Sequence, residues 1–270
     1  MGFASADPQR STERSIVTVL IDLSASMNTV LPKTFVTPDG QNIRTRLDAL
    51  LHGLTDLISS TSEISMHTAK DFDGTAEFAL GTFNGNAGPY IKWIKFPNAR
   101  QTNPPFYFGK DVINIPEEGL DASGNTPLGE AILEVLPRIE ERRKSIRATG
   151  LSVKRPILFV ITDGEPSTNA YIEARRKLSE AEQARHLLFF GIGTYGADKE
   201  LLAKLAPKSA YDLHGRPMSK LIEFLSTTTG TALASDPDAA SDDIYSVLQE
   251  QWRTAYGQSE TARAARNLIP

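Results

Sequence analysis

Ile16 to Met27 reads I-V-T-V-L-I-D-L-S-A-S-M, and the fold turns on how this stretch is read. Ile16, Val17, Thr18, Val19, Leu20 and Ile21 make an apolar, β-branched run. The run is far shorter than the ~20 residues that span a membrane, and it lacks the three-and-four spacing of a helix. It therefore reads as a strand buried on both faces. It ends on Asp22, after which Asp22, Ser24 and Ser26 place oxygen-bearing side chains at alternate positions of a loop. Curled toward one point, they would suit a hard divalent cation, since Mg²⁺ takes oxygen ligands at about 2.0–2.1 Å in an octahedron. D-x-S-x-S also fits a strand followed by a serine-capped helix, so the rest of the chain must decide.

Outward from this stretch the chain alternates strands and helices. Residues Asn28 to Asn42, with Pro32, Pro38 and Asp39-Gly40, read as irregular. Leu47, Leu50, Leu51, Leu54, Leu57 and Ile58 predict an amphipathic helix from about Ile43 to Ser60. Ala76 to Phe83 reads as a strand, with Tyr90 to Phe96 as its hairpin partner across a Gly/Asn-rich turn. Asn98 to Ile115 shows no period, and its aromatic trio Phe106, Tyr107 and Phe108 fits either local packing or a recognition surface. Asp121 to Pro127 is a turn-rich loop opening a helix striped with Leu128, Ile132, Leu133, Leu136 and Ile139, with Pro127 suited to its first turn.

A third apolar run, Ile157 to Ile161, leads into Thr162-Asp163-Gly164-Glu165-Pro166, so a carboxylate again stands at the end of a buried strand. Beyond it the pattern predicts a helix at Thr168 to Ala184, a strand at Leu187 to Ile192 and a helix at Lys199 to Leu205. A strand at Ala210 to Leu213 and helices at Met218 to Thr228 and Asp242 to Tyr256 follow. The alternation implies an α/β fold: a doubly wound, mostly parallel sheet with helices on both faces and one antiparallel edge strand. We expect a flexible N-terminus at 1–14, one domain at 15–235 and a C-terminal helical extension at 236–270.

Composition narrows the function. The net charge is −4 and no basic stripe appears, so neither nucleic acid nor an anionic membrane is expected as partner. The clusters Arg142-Arg143-Lys144 and Arg175-Arg176-Lys177 read as solvated helix faces. Cysteine is absent, which excludes disulfides, thiol catalysis and cysteine-based metal sites. No signal-like apolar core opens the chain and no apolar run nears 18 residues, so the expected compartment is cytoplasm.

In an open parallel sheet, ligands gather outside the carboxyl ends of the strands, where the order of the strands reverses. Asp22 and Asp163 both stand at such ends, and Thr126 opens a helix at the same edge. Asp22, Ser24, Ser26, Thr126 and Asp163 are thus the candidate metal ligands. The segments I-D-L-S-A-S-M (Ile21 to Met27), S-G-N-T-P-L-G (Ser123 to Gly129) and V-I-T-D-G-E-P (Val160 to Pro166) resemble the von Willebrand factor A (vWA) domain and its metal-ion-dependent adhesion site. The resemblance spans about Ser15 to Thr229 and implies a Rossmann-like vWA fold. V-I-T-D-G-E-P, G-N-T-P-L-G-E-A-I and T-G-T-A-L-A-S look more narrowly like the TerY-type tellurite-resistance branch of bacterial vWA proteins.

The resemblance implies that Ser24, Ser26 and Thr126 touch a Mg²⁺ (or Mn²⁺) ion directly and that Asp22 and Asp163 do so directly or through water. Two carboxylates and three neutral hydroxyls leave room for an acidic side chain of a partner protein, so the expectation is adhesion and not catalysis. Relatives of the narrower branch imply a bacterial stress-resistance or phage-defence module with protein kinase and phosphatase partners.

The alternative is a Mg²⁺-dependent phosphoryl-transfer enzyme with Asp22 as nucleophile. Phosphatases of the haloacid-dehalogenase kind want a second Asp two residues on, where this chain has Ser24. His52, His67, His186 and His214 fall in no catalytic pattern. Gly191-Ile192-Gly193-Thr194-Tyr195-Gly196, with Asp212 beyond it, matches a dinucleotide fingerprint literally. It comes late and before a short helix, so it reads as a tight turn using the freedom of glycine.

Overall fold

The computed structural model describes residues 13–36, 40, 42–51, 76–108, 120–163, 166–194, 197–212 and 241–256. The opening apolar run is the centre of the sheet. β1 (Glu13–Asp22) starts at Glu13 and lies parallel to β4 (Ala76–Phe83) on one side and to β9 (Ile157–Thr162) on the other. Beyond β9 come β10 (Leu188–Gly193) and β11 (Ala210–Asp212), also parallel, giving the order β11-β10-β9-β1-β4. The two-residue β8 (Ser152–Val153) pairs with the start of β1. From β1 the chain steps outward to β4, then returns across β1 to β9. The order of the strands therefore reverses between β1 and β9, the strands that end in Asp22 and lead into Asp163.

The absence of polar alternation in these strands is explained by two cores. Val17, Val19 and Ile21 of β1, Ile157, Phe159 and Ile161 of β9, and Leu188, Phe190 and Ile192 of β10 face one side. There they meet Leu47 and Leu50 of α1 (described over 46–51) and Ile244, Tyr245 and Leu248 of α5 (Ser241–Tyr256). The opposite side buries Leu20, Leu158, Val160 and Phe189 under α2 (Leu128–Ala148), α3 (Ala170–Gln183) and the end of α4 (Lys199–Leu205). The expected doubly wound α/β architecture is what forms, and every described strand of the interior is buried on both faces.

The antiparallel edge is larger than expected. β5 (Ile91–Trp93) pairs with β4 as the predicted hairpin, and β7 (Phe106–Phe108) pairs with β4 beside it and with β6 (Gln101–Asn103) beyond. The aromatic trio is packing: Phe106 and Tyr107 are buried, Tyr107 meets Phe96 edge-on at 5.3 Å, and Arg100 lies over Phe108 at 4.2 Å.

Four readings need correction. Residues 28–42 are not irregular throughout: β2 (Val30–Val36) and β3 (Asn42–Thr45) form an antiparallel pair outside the main sheet. Gly40, at φ 88°, supplies the left-handed residue such a turn needs, and the register slips between Val30 and Phe35, where Pro32 cannot donate to a ladder. The following helix opens at 46 and not at Ile43, because Thr45 caps it: the Asp48 N–H donates to Thr45 Oγ1 (3.0 Å) and the Thr45 N–H to Asp48 Oδ2 (2.9 Å). Leu54, Leu57 and Ile58 lie outside the described residues.

The Arg142 cluster, third, is no solvated face. Arg142 forks onto Glu77, Arg143 onto Glu140, and only Lys144 projects to solvent, at 75% exposure. The second basic cluster is exposed as expected. Fourth, Gly191 and Gly193 serve close packing and not a left-handed turn: a Cβ on either would meet Leu202 and Ala206 or Ala197 of the α4 region at 3.0–3.4 Å. Gly196 lies outside the described residues.

α5, expected within a C-terminal extension, closes the core. The Phe189 N–H donates to the Tyr245 hydroxyl (2.9 Å), which donates in turn to Glu182, and Lys208 pairs with Asp242 at 2.6 Å. Residues 1–12, the predicted helix at Met218 to Thr228 and the chain beyond 256 lie outside the described residues. Among the described residues no helix is long and apolar enough to cross a membrane.

Candidate metal centre

Asp22 ends β1 next to Thr162, the last residue of β9. It is fully buried, with the Ser24 N–H on Oδ1 (2.8 Å) and the Thr162 hydroxyl on Oδ2 (2.6 Å). Burial pushes its carboxyl up to about 6 against the pull of these hydrogen bonds, and the neighbouring charge of Asp163 adds to the rise. Such a carboxylate gains from a cation placed beside it.

Past Asp22 the backbone turns into a short 3₁₀ segment, Ala25–Asn28, which carries the two serines inward. Ser24 Oγ and Ser26 Oγ lie 2.9 Å apart, and Ser26 Oγ donates to Asp163 Oδ1 at 2.8 Å. Asp163 has no side-chain exposure, and its second oxygen, Oδ2, is held by Nη1 of Arg46 from the first turn of α1. Asp22, Ser24, Ser26 and Asp163 thus form one polar cluster.

Thr126 reaches the same edge by backbone lacing. The Ala25 N–H donates to Gly124 O (3.0 Å), the Ser123 N–H to Leu23 O (2.8 Å) and the Gly85 N–H to Asn125 O (3.2 Å). Gly124 sits at φ 72°, and a Cβ there would meet the Gly85 backbone at 3.2 Å, so the loops approach as closely as they can. The Thr126 carbonyl accepts from Leu128 and Ser167, which fixes the residue just ahead of α2, where Pro127 stands at the helix cap. Thr126 is buried, and among the described hydrogen bonds its hydroxyl makes none to the other four residues.

Sequence reasoning missed two participants. Thr162 lay within the quoted V-I-T-D segment, directly after the apolar run and before Asp163, which was the signal that could have found it. Arg46 had no signal, because it comes to the site across an unforeseen hairpin. All the candidate ligands offer oxygen, two of them as carboxylates, and a positive group already rests on Asp163. The donor set therefore fits a hard divalent cation.

Among solved structures, the chain is similar to the SpRpn10 VWA domain (13% identity, 77% of this chain and 94% of that chain, TM-score 0.48). It is also similar to the TFIIH p34 N-terminal domain (14% identity, 80% and 97%, TM-score 0.51). A further similarity is to the pilus adhesin SpaC from Lactobacillus rhamnosus GG (10% identity, 94% and 30%, TM-score 0.44). At these identities the p34 likeness is one of fold alone. No protein-family model and no curated protein matches the chain.

Proposed function

We propose that this chain is a vWA-type protein-interaction module that binds Mg²⁺ or Mn²⁺ through Asp22, Ser24, Ser26, Thr126 and Asp163 and uses the ion to engage an Asp or Glu of a partner protein. One observation carries the reading. At the reversal between β1 and β9, the two serines and two aspartates of the sequence motif form one hydrogen-bonded cluster, with the Thr126 loop laced beside it. A bound dication would supply the positive charge that receives the partner's carboxylate. The TerY-like segments support a narrower assignment to a bacterial stress-resistance or phage-defence module, with a kinase and a phosphatase among its partners and the cytoplasm as its compartment.

Phosphoryl transfer by Asp22 is the weaker reading. A nucleophile needs a free oxygen facing substrate, whereas Asp22 is buried with a hydrogen bond on each carboxylate oxygen. Isothermal titration of Mg²⁺ into chelator-treated protein tests the proposal. Heat is expected from the wild type and at least a ~100-fold loss of affinity from Asp22→Ala, since a carboxylate ligand goes with it. Identical titrations of the two proteins would reject the site.

A further inference from the structure

The Arg46–Asp163 pair stands out when the arginines of this molecule are compared. Arg142 engages Glu77 with Nε and Nη2, each at 2.6 Å, and Arg143 engages Glu140 with the same two nitrogens at 2.7 and 3.0 Å. Those are the planar forks that guanidinium and carboxylate favour. Arg46 instead offers Asp163 one nitrogen, Nη1, which also points at Ser26 O from 3.5 Å, the outer limit of a hydrogen bond. Its Nε is shut from solvent and has no hydrogen-bond partner among the described residues. A guanidinium with five donors thus spends few of them here.

We infer that Arg46 is a tethered cation that must leave Asp163 before a divalent ion can settle there, so that it sets the threshold for metal loading. The inference rests on reading the five-oxygen cluster as a divalent-cation site, and it concerns how that site is regulated. Three observations carry it. Asp163 has no exposed side-chain surface, and its two oxygens are taken by Ser26 and Arg46, so an ion that bonds this carboxylate directly through Oδ2 displaces Arg46. Two positive groups sharing one buried carboxylate repel each other where water screens poorly. Release has a path, because the pair is one-armed and the Arg46 side chain keeps 12% of its surface exposed. The backbone stays anchored meanwhile, through the Arg46 N–H on Thr29 O (3.2 Å).

A purely structural role, in which Arg46 orients Asp163 for the metal, predicts the opposite sign for its removal. Calorimetric titration of Mg²⁺ into the full chain is therefore run on the wild type, Arg46→Gln and Arg46→Lys. Arg46→Gln should bind Mg²⁺ about tenfold more tightly, as loss of a competing buried charge requires, and Arg46→Lys should stay within about threefold of the wild type. Unchanged or weaker binding by Arg46→Gln overturns the inference while leaving the metal site standing.

A second readout needs no loss of charge. The Nε–Hε NMR signal of Arg46, assigned by its disappearance in Arg46→Lys, should move to the position and fast solvent exchange of a free arginine as Mg²⁺ saturates the wild type. If that signal stays in place at saturation, the inference falls even should Arg46→Gln fail to fold. Release of the Arg46 signal at saturation, together with tighter binding by Arg46→Gln, is the result the inference expects. Absence of Mg²⁺ and Mn²⁺ heat from both proteins removes the metal site itself, and the inference with it.

Discussion

At the amino end of the parallel strands Arg142 grips Glu77 with two nitrogens, while at the carboxyl end Arg46 touches Asp163 with one. Both carboxylates are buried and both partners are arginines 12% exposed, yet the surroundings differ. Glu77 is completed by the Thr102 hydroxyl at 3.1 Å, so the pair joins β4, the β6–β7 hairpin and α2 into a closed network. Asp163 shares its other oxygen with a serine chain that leads to Asp22. One end of the sheet is finished without help. The other gathers more negative charge and hydroxyl oxygen than Arg46 satisfies, as expected of a place where something binds.

The comparison can be broken by stability measurements. Glu77→Ala leaves Arg142 buried without its counter-charge and should cost about 3 kcal/mol or more, read as a lower urea midpoint, with Mg²⁺ affinity unchanged. If Glu77→Ala proved neutral, the amino end would be no more committed than the carboxyl end.

Thr126→Ala sharpens the other side. It should weaken Mg²⁺ binding by on the order of 1 kcal/mol, because water can replace one neutral oxygen. Capture of a partner, identified by chelator-sensitive pull-down, should suffer more. Equal partner affinity for the two proteins in saturating Mg²⁺ would make the ion structural.

The smallest effect concerns Glu182, partly buried beneath the Tyr245 hydroxyl. Burial raises its carboxyl above the ordinary value, with the hydrogen bond from Tyr245 opposing. The folded protein then holds this proton more tightly than the unfolded chain does. The stability it contributes is full at low pH and is lost as pH rises through the folded value. Glu182→Gln should therefore melt above the wild type at pH 8, and the gap should narrow as the pH is lowered through the carboxylate range. A gap independent of pH would mean that packing, not charge, is responsible.

The interior strands were legible because burial on both faces writes itself as unbroken apolar runs, as in Ile16 to Ile21 and Ile157 to Ile161. The candidate residues Asp22, Ser24, Ser26 and Asp163 could be singled out because they follow those runs directly, and Thr126 because it stands in a turn-rich loop that opens a helix. The β2–β3 pair was hidden by Pro32 and by its position off the main sheet: Val30 and Val36 of β2 remain 66% and 63% exposed, and β3 buries one residue, Ile43, too few to show a period. β6 and β7 have three residues each, too few for a period to show. Arg46 was invisible for a different reason: ion pairs across 117 positions leave no local pattern. The same holds for Arg142, which sequence spacing placed among solvated charges and which Glu77, 65 positions away, draws inward.

The seat of Tyr245 bears on how the molecule is made. α5 covers the same face of the sheet as α1, and its tyrosine supplies the acceptor for a buried amide of β10. On the ribosome, α5 emerges after every described strand, so until then Phe190, Ile192 and Tyr211 lack the cover of Ile244, Tyr245 and Leu248, and the Phe189 amide lacks its acceptor. The nascent chain can pair its strands early but cannot seal them, and the interval before residue 256 clears the exit is when a chaperone would find the most to hold.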